Sequence, residues 1–152
     1  MRIVLQRVSQ ASVTINDKIK SQIGKGYLIL LGIEQDDHAV DVDWLCKKIT
    51  QLRVFNDEEG KMNLSVQDIN GDILVVSQFT LHAQSKKGNR PSFIKAARPE
   101  IAIPLYELFI RELEKIMNKP VLSGEFGADM KVNLLNDGPV TILFDTKHKD
   151  LF

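Results

Sequence analysis

The chain has 152 residues, 43% of them hydrophobic and 26% charged, which suits one globular domain whose core needs no disulfide or metal to hold it. Its 20 basic and 20 acidic side chains cancel to a formal net charge of zero. That balance argues against a protein gripping nucleic acid by bulk electrostatics, and leaves room for a catalyst that touches only the tip of an RNA.

The opening Met1–Arg7 is too short and too soon interrupted by charge for a signal peptide. Residues 1–15 alternate imperfectly, with Ile3, Leu5, Val13 and Ile15 marking a strand. Asn16-Asp17-Lys18 supplies turn chemistry, and residues 19–23 return as a second strand. Residues 26–33 are almost wholly apolar, as in a strand buried on both faces. The apolar run Tyr27 to Ile33 falls far below the ~20 residues of a membrane-spanning helix. The expectation is a soluble, cytoplasmic protein with no membrane partner.

The period then changes. Val42, Leu45, Ile49 and Leu52 share one helical stripe, with Asp36 or Asp37 as N-cap. Cys46, the single cysteine, excludes an internal disulfide and any Cys-rich zinc site. Strand-like pieces follow at residues 52–55 and 72–81, the second entered through Asn70-Gly71. Pro99 opens a helical turn and Pro104 a longer helix, whose stripe is Leu105, Leu108, Phe109, Leu113 and Ile116. Residues 130–135 and 140–144 flank Asn136-Asp137-Gly138-Pro139 and read as two strands about a tight turn. No repeat or linker breaks the chain. The expected fold is α/β: a curved, mostly antiparallel or barrel-like sheet covered by two main helices, with residues 1–152 as a single domain.

No phosphate-binding glycine loop, dinucleotide fingerprint or His-Glu-x-x-His helix is present. The three histidines are scattered, so neither a metal nor another cofactor is expected. Two segments stand out. Ser77-Gln78-Phe79-Thr80-Leu81 lies where an apolar strand emerges. Strand alternation there places Ser77, Phe79 and Leu81 on one face and Gln78, Thr80 and His82 on the other. The second segment is Asn136 to Thr141. Alone, each suits an ordinary strand end or turn.

Together, about sixty residues apart, Ser-Gln-Phe-Thr-Leu and Asn-Asp-Gly-Pro-Val-Thr resemble the two signature motifs of the D-aminoacyl-tRNA deacylase family. The resemblance extends to Met1–Val8, to Gly88-Asn89-Arg90-Pro91-Ser92-Phe93 and to the segment from Gly124 to Met130. It implies an enzyme that hydrolyses the ester between a D-amino acid, or a mischarged glycine, and the 3′ end of tRNA. It implies a homodimer with active sites near the subunit interface, and no DNA partner. Ser77, Gln78, Phe79 and Thr80 then form the catalytic floor, with the Thr80 hydroxyl and the N–H groups around Phe79 and Thr80 beside the ester. Gly138-Pro139, cis in the family, projects into the partner's pocket and screens chirality. Phe126 and Met130 help to enclose the terminal adenosine, and Arg7 supports the Gly-Pro turn.

The chemistry is compatible with that implication. An activated ester needs a placed water and oxyanion donors, the latter worth ~3–4 kcal/mol each by mutation, and the substrate's 2′-hydroxyl can assist proton transfer. His82 offers a general base outside the family motif. Lys86, Lys87 and Arg90 form a basic loop that is either solvated or set against acceptor-end phosphates. Two rival readings remain at this level: a non-catalytic RNA-end or nucleotide-binding module, and a small-molecule esterase using Thr80 or Ser77 as nucleophile.

Overall fold

The computed structural model describes residues 1–86 and 88–151. Strand β1 (Arg2–Ile15) turns through Asn16 and Asp17, both with positive φ, into β2 (Lys18–Ile23). Strand β3 (Gly26–Gly32) and helix α1 (Ala39–Gln51) follow. Next come the short pair β4 (Phe55–Asn56) and β5 (Met62–Leu64), then β6 (Asp72–Ser77). Helix α2 (Pro99–Met117), β7 (Leu122–Ser123) and β8 (Lys131–Asp145) complete the chain order.

β1 organises the sheet. One of its edges pairs antiparallel with β3 in its first half and with β2 in its second; the other pairs antiparallel with β8 over nearly its whole length. β3 pairs parallel with β6, and β6 parallel with β7. The sheet is therefore mixed, and it curls nearly into a barrel. The apolar runs of β3 and β6 follow from burial on both faces. Tyr27, Ile29, Leu31, Ile73 and Val75 meet α1 and α2, whereas Leu28, Leu74 and Val76 fill the inner side with Val8, Val13 and Ile23. The two helices touch where Cys46 Sγ donates to the Phe109 carbonyl at 3.6 Å. Burial pushes the Cys46 thiol up to about 12, so this cysteine serves as core.

Several sequence expectations are corrected. Residues 130–135 and 140–144 are not two strands about a tight turn but parts of one continuous strand, because β1 is long enough to pair with both halves in one direction. The strand expected over 72–81 ends at Ser77, and Phe79–His82 form a 3-10 turn. The piece at 52–55 shrinks to Phe55–Asn56. Helix α1 starts after His38 rather than Asp36 or Asp37; the Asp41 carboxylate accepts the His38 N–H at 2.9 Å, while Asp37 is buried against the Met1 ammonium. α2 begins at Pro99 and runs through Pro104, which leaves the Glu100 carbonyl without its usual intrahelical donor but does not end the helix. No helix among the described residues is long and apolar enough to cross a membrane.

Candidate active site

Parallel strands deliver their carboxyl ends to one edge, a place where loops and helices gather to form crevices. Here β3 and β6 end at that edge. The Gln78 N–H donates to the Leu31 carbonyl at 2.7 Å, which uses the last ladder position and lets the chain turn away. The 3-10 turn that follows is closed by Leu81 N–H to Gln78 O at 3.2 Å and Ala83 N–H to Thr80 O at 3.1 Å. The first N–H groups of such a turn have no partner within it. Among the described residues, neither the Phe79 nor the Thr80 N–H has a hydrogen-bond partner.

Two adjoining clefts share Ser77, Gln78, Phe79 and Gly127. The first is apolar, closed by Leu31, Ile33, Ala97, Ala102 and Phe126. The second runs past Ala128, Asp129 and Met130 to Val132. Phe126 is held edge-on to Tyr106 at 5.8 Å between ring centroids, and the Tyr106 hydroxyl donates to the Val75 carbonyl at 3.3 Å. Burial raises the Tyr106 phenol above its ordinary range, so it stays protonated as that donor. Met130 packs its sulfur onto Gly124, where a β-carbon would require the methionine side chain to shift. Phe79, 57% exposed, stands edge-on to Phe93 at 5.1 Å.

Ser77, Gln78, Phe79, Phe126 and Met130 therefore line the same pair of adjoining clefts. Thr80 sits exposed on the turn beside them, and its hydroxyl accepts the Gln78 side-chain amide. Among the described residues no imidazole, carboxylate or amine bonds that hydroxyl. His82 is not placed for the general-base role. The 3-10 turn breaks the strand alternation that aligned it with Thr80, and it is buried behind the turn. Its Nδ1 lies 3.1 Å from Glu34 Oε1, too poorly aligned for a hydrogen bond. Burial alone would raise the Glu34 carboxyl, but the Lys147 ammonium, with His82 and the Met1 ammonium near it, holds it below its usual range. Among the described residues no group of three or more His, Cys, Asp or Glu is arranged to hold a metal ion.

Arg7, Gly138 and Pro139 form a separate group and line neither cleft. Gln6 pairs with Thr141 and Val8 with Asn136, so residues 137–140 bulge out of the ladder opposite Arg7. Asn136 closes the bulge: its side-chain oxygen accepts the Val140 N–H at 3.1 Å and its amide donates to Thr141 Oγ1 at 2.9 Å. The Gly138–Pro139 bond is cis, and Gly138 has φ 134°, a region open to glycine. A β-carbon there would meet an Arg7 guanidinium nitrogen at 2.9 Å. Arg7, only 7% exposed, donates to the Asp137 carbonyl at 2.8 Å and to the Val54 carbonyl at 2.6 Å. The arginine thus ties the bulge to the core, while Gly138 and Pro139 themselves are exposed.

The D-Tyr-tRNA(Tyr) deacylase family profile matches residues 4–145. The chain belongs to that family. A D-aminoacyl-tRNA deacylase of Bacteroides thetaiotaomicron is 64% identical over 150 residues, covering 99% of this chain and 100% of its own. One of Flavobacterium psychrophilum is 62% identical over the same shares. Among solved structures, a c-Myc DNA unwinding element binding protein superposes with a TM-score of 0.91 at 43% identity, covering 96% of this chain and 99% of its own. A probable eukaryotic D-amino acid tRNA deacylase, 21% identical over 94% of this chain and 97% of its own, shares the fold with a TM-score of 0.77. The two segments that carry the family resemblance lie at the 3-10 turn and at the bulge. Sequence reasoning missed the Tyr106 support under Phe126 and the Phe79–Phe93 contact. Residues 88–93 carried part of the family resemblance, but nothing in them showed that Phe93 would reach the turn.

Proposed function

We propose that this protein hydrolyses the ester bond of D-aminoacyl-tRNA, releasing the free D-amino acid and tRNA in the cytoplasm. The observation that carries the reading is the turn at Phe79–Thr80, with two unbonded N–H groups beside a cleft walled by Phe126. Water adds to the acyl carbon, the oxyanion is held by those N–H groups, and the 3′-oxygen leaves with a proton. Preorganised donors of this kind are worth about 3–4 kcal/mol each. Family membership and 64% identity to a D-aminoacyl-tRNA deacylase support the substrate class. Phe126 and Met130 flank the terminal adenosine. The Thr80 hydroxyl, paired only with an amide, has no base to activate it, so it positions substrate or water. The neighbouring 2′-hydroxyl of the substrate supplies the proton path.

Thr80→Ala should therefore lower kcat far less than the roughly 10⁶-fold that removal of a true nucleophile costs a serine hydrolase. Mass spectrometry of the protein quenched during turnover should find no acyl-Thr80 adduct. Capture of one would instead favour the esterase reading.

The same proposal makes the active unit a homodimer. Gly138-Pro139 lines neither of the two site clefts of its own chain, yet it is exposed on a strand that also exposes Leu135 and Leu143. Seated in a second copy's pocket, its main chain forms a wall with no side-chain rotamers to yield. An L-amino acid would drive its side chain or amino group into that wall, whereas a D-amino acid, or glycine on a mischarged tRNA, would pass. Sedimentation should show a dimer; a fully active species at 17.2 kDa would contradict this.

A further inference from the structure

Between Asp72 and Glu100 the chain carries no acidic residue, yet it holds Lys86, Lys87, Arg90, Lys95 and Arg98. In a molecule of zero net charge this is a marked segregation of cations. Lys87 lies outside the described residues; Lys86, Arg90, Lys95 and Arg98 are all exposed. Among the described residues none of these four is in a salt bridge, although Lys95 shares a cleft with Glu34 and Asp36. Elsewhere the cations are commonly paired, as Arg2, Arg7, Lys47, Lys119 and Lys147 are.

The segment is also fixed to the candidate active site. Gln84 and Ser92 exchange backbone hydrogen bonds of 2.8 and 2.9 Å, and the Ala97 N–H donates to the Ile33 carbonyl at 2.8 Å. Between those anchors Phe93 packs against Phe79 of the site turn. Unpaired cations thus lie on a segment joined to the site through Phe93, which meets Phe79, and Ala97, which lines the apolar cleft. Unpaired, exposed cations of one sign fit a polyanion that continues outward from the pocket.

We infer that residues 84–86 and 88–98 form a phosphate-binding surface for the RNA backbone next to the 3′ terminus held in the cleft, with Lys86 and Arg90 as its main contacts. The inference rests on the proposed function. It assigns the electrostatic grip on the substrate to one segment and leaves the ester chemistry to the turn.

The test compares wild type with Lys86→Ala/Arg90→Ala on two substrates over a salt series: D-tyrosyl-tRNA, and D-tyrosyl-adenosine, which has no phosphate. On the tRNA, KM should rise and kcat stay level, with kcat/KM falling roughly tenfold or more at low salt. The slope of log kcat/KM against log salt should become shallower by about 2, one for each phosphate contact removed. Both proteins should cleave D-tyrosyl-adenosine alike. Equal salt slopes on the tRNA would overturn the inference, and so would a matching loss on D-tyrosyl-adenosine, which would mean the segment only braces the turn. Should wild type cleave neither substrate, the proposed function fails. The surface is then tested by binding of uncharged tRNA, where a weaker and less salt-sensitive variant supports it and equal binding refutes it. Duplex DNA of equal length that displaces the tRNA equally well would also overturn the assignment to RNA.

Discussion

Arg7→Ala should cost about 3 kcal/mol of stability, since hydrogen bonds from a charged group contribute ~1.5–3 kcal/mol each and buried carbonyls left without a donor cost ~1–3 kcal/mol. In a chain of this size that lowers Tm by roughly 6–12 °C. The damage to activity should exceed what stability explains. Arg7 reaches both the Asp137 carbonyl on the bulge and the Val54 carbonyl near the start of β4. Without it Gly138-Pro139 keeps the local bonds of Asn136 but loses its tie to the core, and misplacement by ~1 Å can cost ~10²-fold in rate. Arg7→Lys should recover little, because an ammonium cannot reproduce a planar fork of donors. Asp137→Ala supplies the contrast. Its carboxylate is 3.7 Å from the guanidinium and 48% exposed, and such surface pairs are worth at most ~1 kcal/mol. Thermal melts and kcat/KM on D-tyrosyl-tRNA separate the three variants. Wild-type activity in Arg7→Ala would show that the arginine does not position the bulge.

Gly32→Ala should strike the other half of the site. A β-carbon at Gly32 would stand 2.9 Å from His82 Nε2, 3.0 Å from the Gln78 carbonyl and 3.0 Å from Leu81 Cβ. All three atoms belong to the turn or its cap, and the carbonyl is backbone that cannot swing aside. Crowding of this kind costs about 1–3 kcal/mol when the core yields. The easiest relief is for the turn to move outward, carrying the Phe79 and Thr80 N–H groups with it. The protein should therefore stay folded, with Tm lowered by roughly 2–12 °C. Its kcat should fall ~10²-fold, as expected when donors shift by about an ångström. A folded Gly32→Ala protein with unchanged kcat would show that the turn's placement does not govern the reaction.

How much of this was legible beforehand depends on the range of the forces involved. Asn16 and Asp17 take positive φ, as short polar side chains do, so the β1–β2 turn could be read locally. The stripe Val42, Leu45 and Ile49 and the stripe Phe109 and Leu113 likewise mark the faces that α1 and α2 bury. Residues 136–139 could not be read that way. Their turn chemistry suits a hairpin as well as a bulge, and the outcome is decided by β1, more than a hundred residues earlier, running alongside both halves of β8. His82 was misplaced for a similar reason. Phe79 to Leu81 has strand composition, but the Gln78 N–H is taken by Leu31 and the ladder stops there. The parallel pairing of β3 with β6, which puts Ser77 and Leu31 at one edge, has no local signature. Family resemblance supplied what local chemistry could not, by linking two unremarkable segments sixty residues apart.

The most direct measurement is hydrolysis of D-tyrosyl-tRNA and L-tyrosyl-tRNA, side by side, by the purified protein with metal ions removed by chelation. The account predicts rapid release of D-tyrosine, with the L-ester decaying no faster than it does in buffer. Equal cleavage of both esters would contradict the main-chain filter, and failure to cleave the D-ester would contradict the proposed activity itself.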